Sequence, residues 1–185
     1  WIVDAKSDKV FKYTNAASRL TGSQNAASSF SLNSGNRSPK DIVTDGTHLW
    51  VVNDTTTDKV FKYTLGGSLV GSWTISGGGG APTGITLDPA DPSHLWIVDN
   101  ATDRVYQYDN AVGRTSGSQE AASSWALAAG NTNPQGIADP PVASGAAEAA
   151  GAVEQRGRGR DYDLALMSLL GDLDLFEDRL RKRRR

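Results

Sequence analysis

Apolar and polar positions in this chain fall in short alternating runs, not at helical spacing. "LWVVN" at 49–53, "KVFKYT" at 59–64 and "GSWTI" at 71–75 are bounded by Gly, Asn, Asp and Ser, the composition of strands joined by tight turns. The runs recur. "LWVVNDTTTDKVFKY" at 49–63 returns as "LWIVDNATDRVYQY" at 95–108, and the chain opens on "WIVDAKSDKVFKY".

Aligned on tryptophan, Trp1, Trp50 and Trp96 stand 49 and 46 residues apart, within the roughly 20–50 residue periods of solenoids and propellers. Pro39, Pro82 and Pro134 keep step, and nine residues before each stands an aromatic, Phe30, Trp73 or Trp125. Each full unit reads as four strands, A to D. In the second unit A is "DIVTD" at 41–45, B "LWVVN", C "KVFKYT" and D "GSWTI"; the third supplies "GITLD", "LWIVD", "RVYQYD" and "SSWAL". Strand B is apolar on both faces, as a strand sandwiched between neighbouring sheets should be, while C alternates Val60 and Lys62 with Phe61 and Tyr63. The pattern predicts an all-β fold, a partial β-propeller of about three four-stranded antiparallel blades over residues 1–140. Blades stack face to face, so the five tryptophans read as inter-blade packing. The inserts "AASRLTGSQ" and "AVGRTSGSQ" of the first and third units read as decorative hairpin extensions between C and D.

The run Pro-x-Gly-Ile, an aspartate, Leu-Trp-Ile-Val-Asp and Arg-Val-Tyr is carried by Pro82, Gly84, Ile85, Asp88, Val98, Asp99, Arg104 and Val105. It resembles the NHL and related six-bladed propeller repeats, over residues 1 to about 140. The resemblance implies the propeller fold. For function it implies only a range, since NHL-like propellers include lyases, lactonases, signalling scaffolds and bacterial surface modules. The first D-to-A junction departs from the pattern, with Lys40 and Asp41 in place of a glycine.

Strands B, C and D occur three times and A-like segments stand at 41, 84 and 136, so the arc has an open edge. Known propellers close with about four to eight blades. The chain starts at Trp1 and its one methionine is Met167, so upstream blades of a longer protein are the expected completion. The alternative is a second copy, each chain lending "QGIAD" to the other's first blade.

Composition narrows the partners. Across 185 residues, 38% hydrophobic and 22% charged, the net charge is -2, without the basic field of a nucleic-acid binder. The absence of cysteine excludes disulfides and thiolate metal sites. The longest apolar run, "LALMSLL" at 164–170, is far below the roughly 18 residues of a membrane-spanning helix.

Candidate chemistry is sparse. His48 and His94 share one slot, just before Leu-Trp, at the end opposite the expected binding rim. Asp4, Asn53 and Asp99 close strand B, and Asp8, Asp58 and Asp103 precede strand C, positions suited to holding the B–C turn by accepting backbone N–H bonds. Two carboxylates per loop are too few to enclose a cation. "GGGG" at 77–80 lacks the Lys-Ser/Thr of a phosphate loop. No catalytic residue, metal or cofactor is therefore assigned. The D-to-A loops "NSGNRSP", "SGGGGAP" and "AAGNTNP" offer Asn36, Arg37, Lys40, Asn131, Asn133 and Gln135 as rim candidates for ligand binding.

Past residue 140 the composition changes to an Ala, Gly and Arg-rich linker over 141–160, expected to be flexible. Residues 161–185 then place Tyr162, Leu166, Leu169, Leu173, Phe176 and Leu180 at spacings of 4, 3, 4, 3 and 4, an amphipathic α-helix suited to docking on a partner and ending in "RKRRR".

The expectation is a non-enzymatic binding or structural module of a larger bacterial secreted or envelope protein, taking a protein or carbohydrate ligand. Two alternatives stand beside it: a fragment of a propeller lyase- or lactonase-type enzyme, and a lectin-like propeller self-assembled from two chains.

Overall fold

A computed structural model of the chain describes residues 1–138. The first repeat forms sheet I, in which β1 (Ile2–Asp4), β2 (Lys9–Lys12) and β3 (Ser28–Ser31) lie in sequence order. The second forms sheet II from β4 (Pro39–Thr44), β5 (His48–Asn53), β6 (Lys59–Thr64) and β7 (Leu69–Ser76), an antiparallel meander. The third forms sheet III from β8 (Pro82–Leu87), β9 (Leu95–Asp99), β10 (Arg104–Tyr108) and β12 (Ser123–Ala126). The fold is all-β, and among the described residues the sheets do not close into a ring or barrel.

The repeat is kept in register as well as in sequence. Val3 opposes Val10, which opposes Phe30; Val52 opposes Val60, which opposes Trp73; Val98 opposes Val105, which opposes Trp125. The opening strands of sheets II and III carry the same bulge, at Pro39/Asp41 and at Pro82/Gly84. Exchanging the glycine for Lys40-Asp41 thus leaves that strand's geometry intact.

The B–C turns explain their acidic residues. Ser7 N–H donates to Asp4 Oδ1 at 2.7 Å, Thr102 N–H to Asp99 Oδ1 at 3.0 Å, and Lys59 N–H to Asn53 Oδ1 at 2.8 Å. Asp8 and Asp103 sit at φ of 51° and 52°, the left-handed region that Asp tolerates better than most residues.

Strand β5 is apolar on both sides because both sides are buried. Leu49 and Val51 join Val10, Leu32, Phe61 and Tyr63 in a core shared by sheets I and II. Trp50 and Val52 join Val60, Trp73, Ile97 and Tyr108 in a second core, between sheets II and III. Each core holds an aromatic pair of the same origin: the D-strand aromatic of one sheet meets the C-strand tyrosine of the next. Phe30 and Tyr63 lie 5.9 Å apart, Trp73 and Tyr108 5.2 Å, within the range where tilted ring pairs attract. Lysines finish the pattern, Lys12 lying 5.1 Å from the Trp1 ring centroid and Lys62 5.1 Å from that of Trp50.

Three expectations are corrected. Trp125 is not buried packing: it is 51% exposed where its counterpart Trp73 is 1% exposed, because no sheet stacks over it among the described residues. The third insert is not decoration. Its last residues Ser118 and Gln119, together with Glu120, form β11 (Ser118–Glu120), which pairs in parallel with β7 and gives sheet II a fifth strand. The A-like segment near 136 has no strand structure over its described residues, 135–138. The linker over 141–160 and the helix with Tyr162, Leu166, Leu169, Leu173, Phe176 and Leu180 lie outside the described residues.

Candidate functional site

In an antiparallel meander the B–C turn and the D-to-A loop emerge at the same end of the sheet, so both loop sets share one rim. The A–B turns and the C–D inserts share the other.

Two of the rim candidates cluster. Asn133 Oδ1 accepts hydrogen bonds from Asn100 Nδ2 at 2.5 Å and from Gln135 Nε2 at 2.6 Å. All three lie toward the surface, Asn100 partly buried and the other two exposed. Asn100 belongs to the B–C turn of sheet III and was missed as a binding candidate; its signal is its neighbourhood to that loop across the meander, which no local motif carries. These side chains make no further hydrogen bond among the described residues. An uncharged set of amide donors and acceptors suits a hydroxyl-rich ligand.

Arg37 is exposed, and its backbone carbonyl accepts Asn53 Nδ2 at 3.2 Å. Lys40 pairs with Asp54 at 3.1 Å, both about one-third exposed, an arrangement worth little to stability. Asp58 nearby is held above the usual carboxylate range by burial first and then by the charges of Asp54 and Asp99, which Lys40 partly offsets. Asp99 itself is buried and fully engaged, its second oxygen accepting Ala81 N–H at 2.8 Å.

Asn36 leaves the set of binding candidates. It is 0% exposed and its Nδ2 donates to the Tyr63 hydroxyl at 3.1 Å, so it serves the contact between sheets I and II. Asn131, three residues before Pro134 as Asn36 is before Pro39, is exposed; each donates its backbone N–H three residues back at 2.8 Å, to Asn33 and Ala128 respectively.

At the opposite end the two histidines have different surroundings. His48 Nδ1 lies 3.0 Å from Thr47 Oγ1 and its ring tilts 6.0 Å from Trp50. His94 sits among Asp91 at 3.4 Å, Asp109 at 3.6 Å and Asp88 at 3.8 Å, with Gln107 Nε2 at 3.1 Å from Nδ1. Nothing in the motif Ser-His-Leu-Trp marks this; Asp109 comes from the far end of the neighbouring strand. No group of three or more His, Asp or Glu among the described residues could hold a metal ion, and no helix among them is long and apolar enough to cross a membrane.

No protein-family profile matches the chain, and no curated protein matches it. Among solved structures it is similar to a protein of unknown function from Bacteroides caccae, at 13% identity and a TM-score of 0.43. The match covers 61% of this chain and 38% of that one.

Proposed function

We propose that the chain is a non-enzymatic binding module, an arc of NHL-like propeller blades belonging to a larger secreted or envelope protein. The observation that supports this most is the amide set of Asn133 and Gln135, both exposed, with the partly buried Asn100, at the same rim as Arg37. Its groups offer hydrogen bonds in both senses without a titratable partner, which fits recognition of a neutral, hydroxyl-rich ligand such as a carbohydrate and does not fit acid–base turnover. The stacked sheets supply the rigid platform from which such loops work.

The test is a ¹H–¹⁵N titration of the full chain with a panel of neutral cell-wall oligosaccharides. Saturable shifts confined to Arg37, Asn100, Asn133 and Gln135, lost in Asn133→Ala, are the expected result. Shifts centred on His94 instead, or none with any sugar, would overturn the reading.

A further inference from the structure

We infer that the two ends of this sheet stack are complementary, and that the partner of each is a second copy of the chain, docked head to tail. The two interfaces inside the chain are the template. Each is made by three elements: a D-strand aromatic, the C-strand tyrosine of the next sheet, and a hydrogen bond joining that tyrosine's hydroxyl to the last residue of the D strand or to the loop after it.

Between sheets I and II these are Phe30, Tyr63 and Asn36, with ring centroids 5.9 Å apart and Asn36 Nδ2 3.1 Å from the hydroxyl. Between sheets II and III they are Trp73, Tyr108 and the carbonyl of Ser76, with rings at 5.2 Å and the Tyr108 hydroxyl donating at 3.3 Å. Among the described residues one set of parts is left over. Trp125 and Asn131 stand exposed on sheet III and the loop after it, and Tyr13, partly buried, stands past the end of β2 at the repeat position that Tyr63 and Tyr108 hold in sheets II and III. Placed as the template dictates, Trp125 of one copy packs on Tyr13 of the next, and Asn131 donates to that tyrosine's hydroxyl.

The insert of sheet III shows what holds such a contact along its edge. After the left-handed Asn110 and a short 3-10 turn over Ala111–Gly113, it runs beside β7. There Gly117 accepts Thr74 N–H at 2.8 Å and Ala121 donates to Ser76 at 3.2 Å. The insert of sheet I has the same start, Asn15 at φ 56° before a 3-10 turn over Ala16–Ser18, and the same glycine, Gly22 at φ 78° against Gly117 at φ 78°. Yet it pairs with no outer strand among the described residues, and Leu20 is 91% exposed. Its template partner is an edge like β7, and β12 is that edge in sheet III. Ser123 stands where β7 has Gly71, so the clasp begins at Gly22 and not at Leu20. The interface is heterologous, one end of each copy meeting the other end of the next.

The chain has no cysteine, so a pair can be introduced cleanly. Ser118 opposes Thr74 in the template, which places Ser23 of one copy opposite Ala126 of the next. Full-length S23C and A126C, mixed and oxidised, should form the 23–126 disulfide, while neither variant alone gives more than traces of linked product. Light scattering of the unaltered chain should rise with concentration above the 19.6 kDa of one copy. W125A should weaken that association by roughly 30-fold or more, as loss of a central aromatic anchor does, with the monomer's circular dichroism unchanged. A chain that stays at 19.6 kDa at every concentration, or A126C linking mainly to itself, would overturn the proposal.

Discussion

The carboxylate of Asp41 on β4 accepts the backbone N–H of Ile85 on β8 at 2.9 Å, joining the first strands of sheets II and III across 44 residues of sequence. Its other oxygen accepts the N–H of Ile42 at 2.8 Å. Replacing it by alanine leaves a buried donor on Ile85 without its acceptor. Asp41→Ala should lower stability by about 1–3 kcal/mol, read as a lower urea midpoint with unchanged slope.

Burial holds the Asp41 carboxyl above the usual carboxylate value of 3.8, opposed by the two N–H bonds, and Asp58 is raised as well. A carboxyl with a raised folded value binds more protons folded than unfolded, so stability falls as pH rises through the interval above 3.8. Asp4, Asp45 and Asp91 work the other way. Asp4 and Asp91 are lowered by the hydroxyl and N–H of Ser7 and Ser93, and Asp45, against the upward push of burial, by bonds from His48 and Thr47. Their contribution is present above the ordinary value and is lost as pH falls below it. Thermal unfolding followed from pH 7 downward should therefore rise to a maximum in the mildly acidic range and then fall. Asp41→Asn should flatten the limb above the maximum and leave the limb below it.

Trp73 and Trp125 occupy the same place in successive repeats but different environments. Trp73→Ala removes a buried ring from the core between sheets II and III and should cost about 3–5 kcal/mol. Trp125→Ala, at a half-exposed ring, should cost under about 1 kcal/mol when measured in the dilute monomer. Equal costs in denaturant titrations would mean that the sheet edges are not as described.

At Gly71 the third insert lies close against β7. A Cβ there would lie 2.6 Å from Cβ of Thr115 and 2.8 Å from its Cα, so Gly71→Ala must push the insert away. The expected cost is about 1–3 kcal/mol. Hydrogen exchange should localise it, with faster exchange at Ser72 and Thr74, whose amides donate to Thr115 and Gly117.

Similar reasoning applies at Gly84, where the added Cβ would lie 2.7 Å from Cα of Gly136 and 2.7 Å from N of Ile137. Gly84→Ala should displace the segment that follows Pro134, break the bond of 2.7 Å from Thr83 Oγ1 to the Pro134 carbonyl, and shift the amide resonances of Gly136 and Ile137 while sparing sheet I.

What the sequence alone determined is the repeat and everything local to it. Period-2 patterning marked the strands, turn residues their ends, and the Asx positions Asp4, Asn53 and Asp99 the hydrogen bonds that hold the B–C turns, because those interactions reach only a few residues along the chain. Apolarity on both faces of β5 already required sheets on both sides. The tertiary structure decided what depends on which repeats are neighbours. Asn36 and Asn131 share a position before a proline, and only the presence of Tyr63 beside the first buries it. Trp73 and Trp125 differ in the same way. The inserts after Asn15 and Asn110 begin alike, and among the described residues only the second has an outer strand, β7, beside which it becomes β11. In each case the local code is repeated and the outcome is not, since burial and edge pairing belong to a residue's surroundings in space.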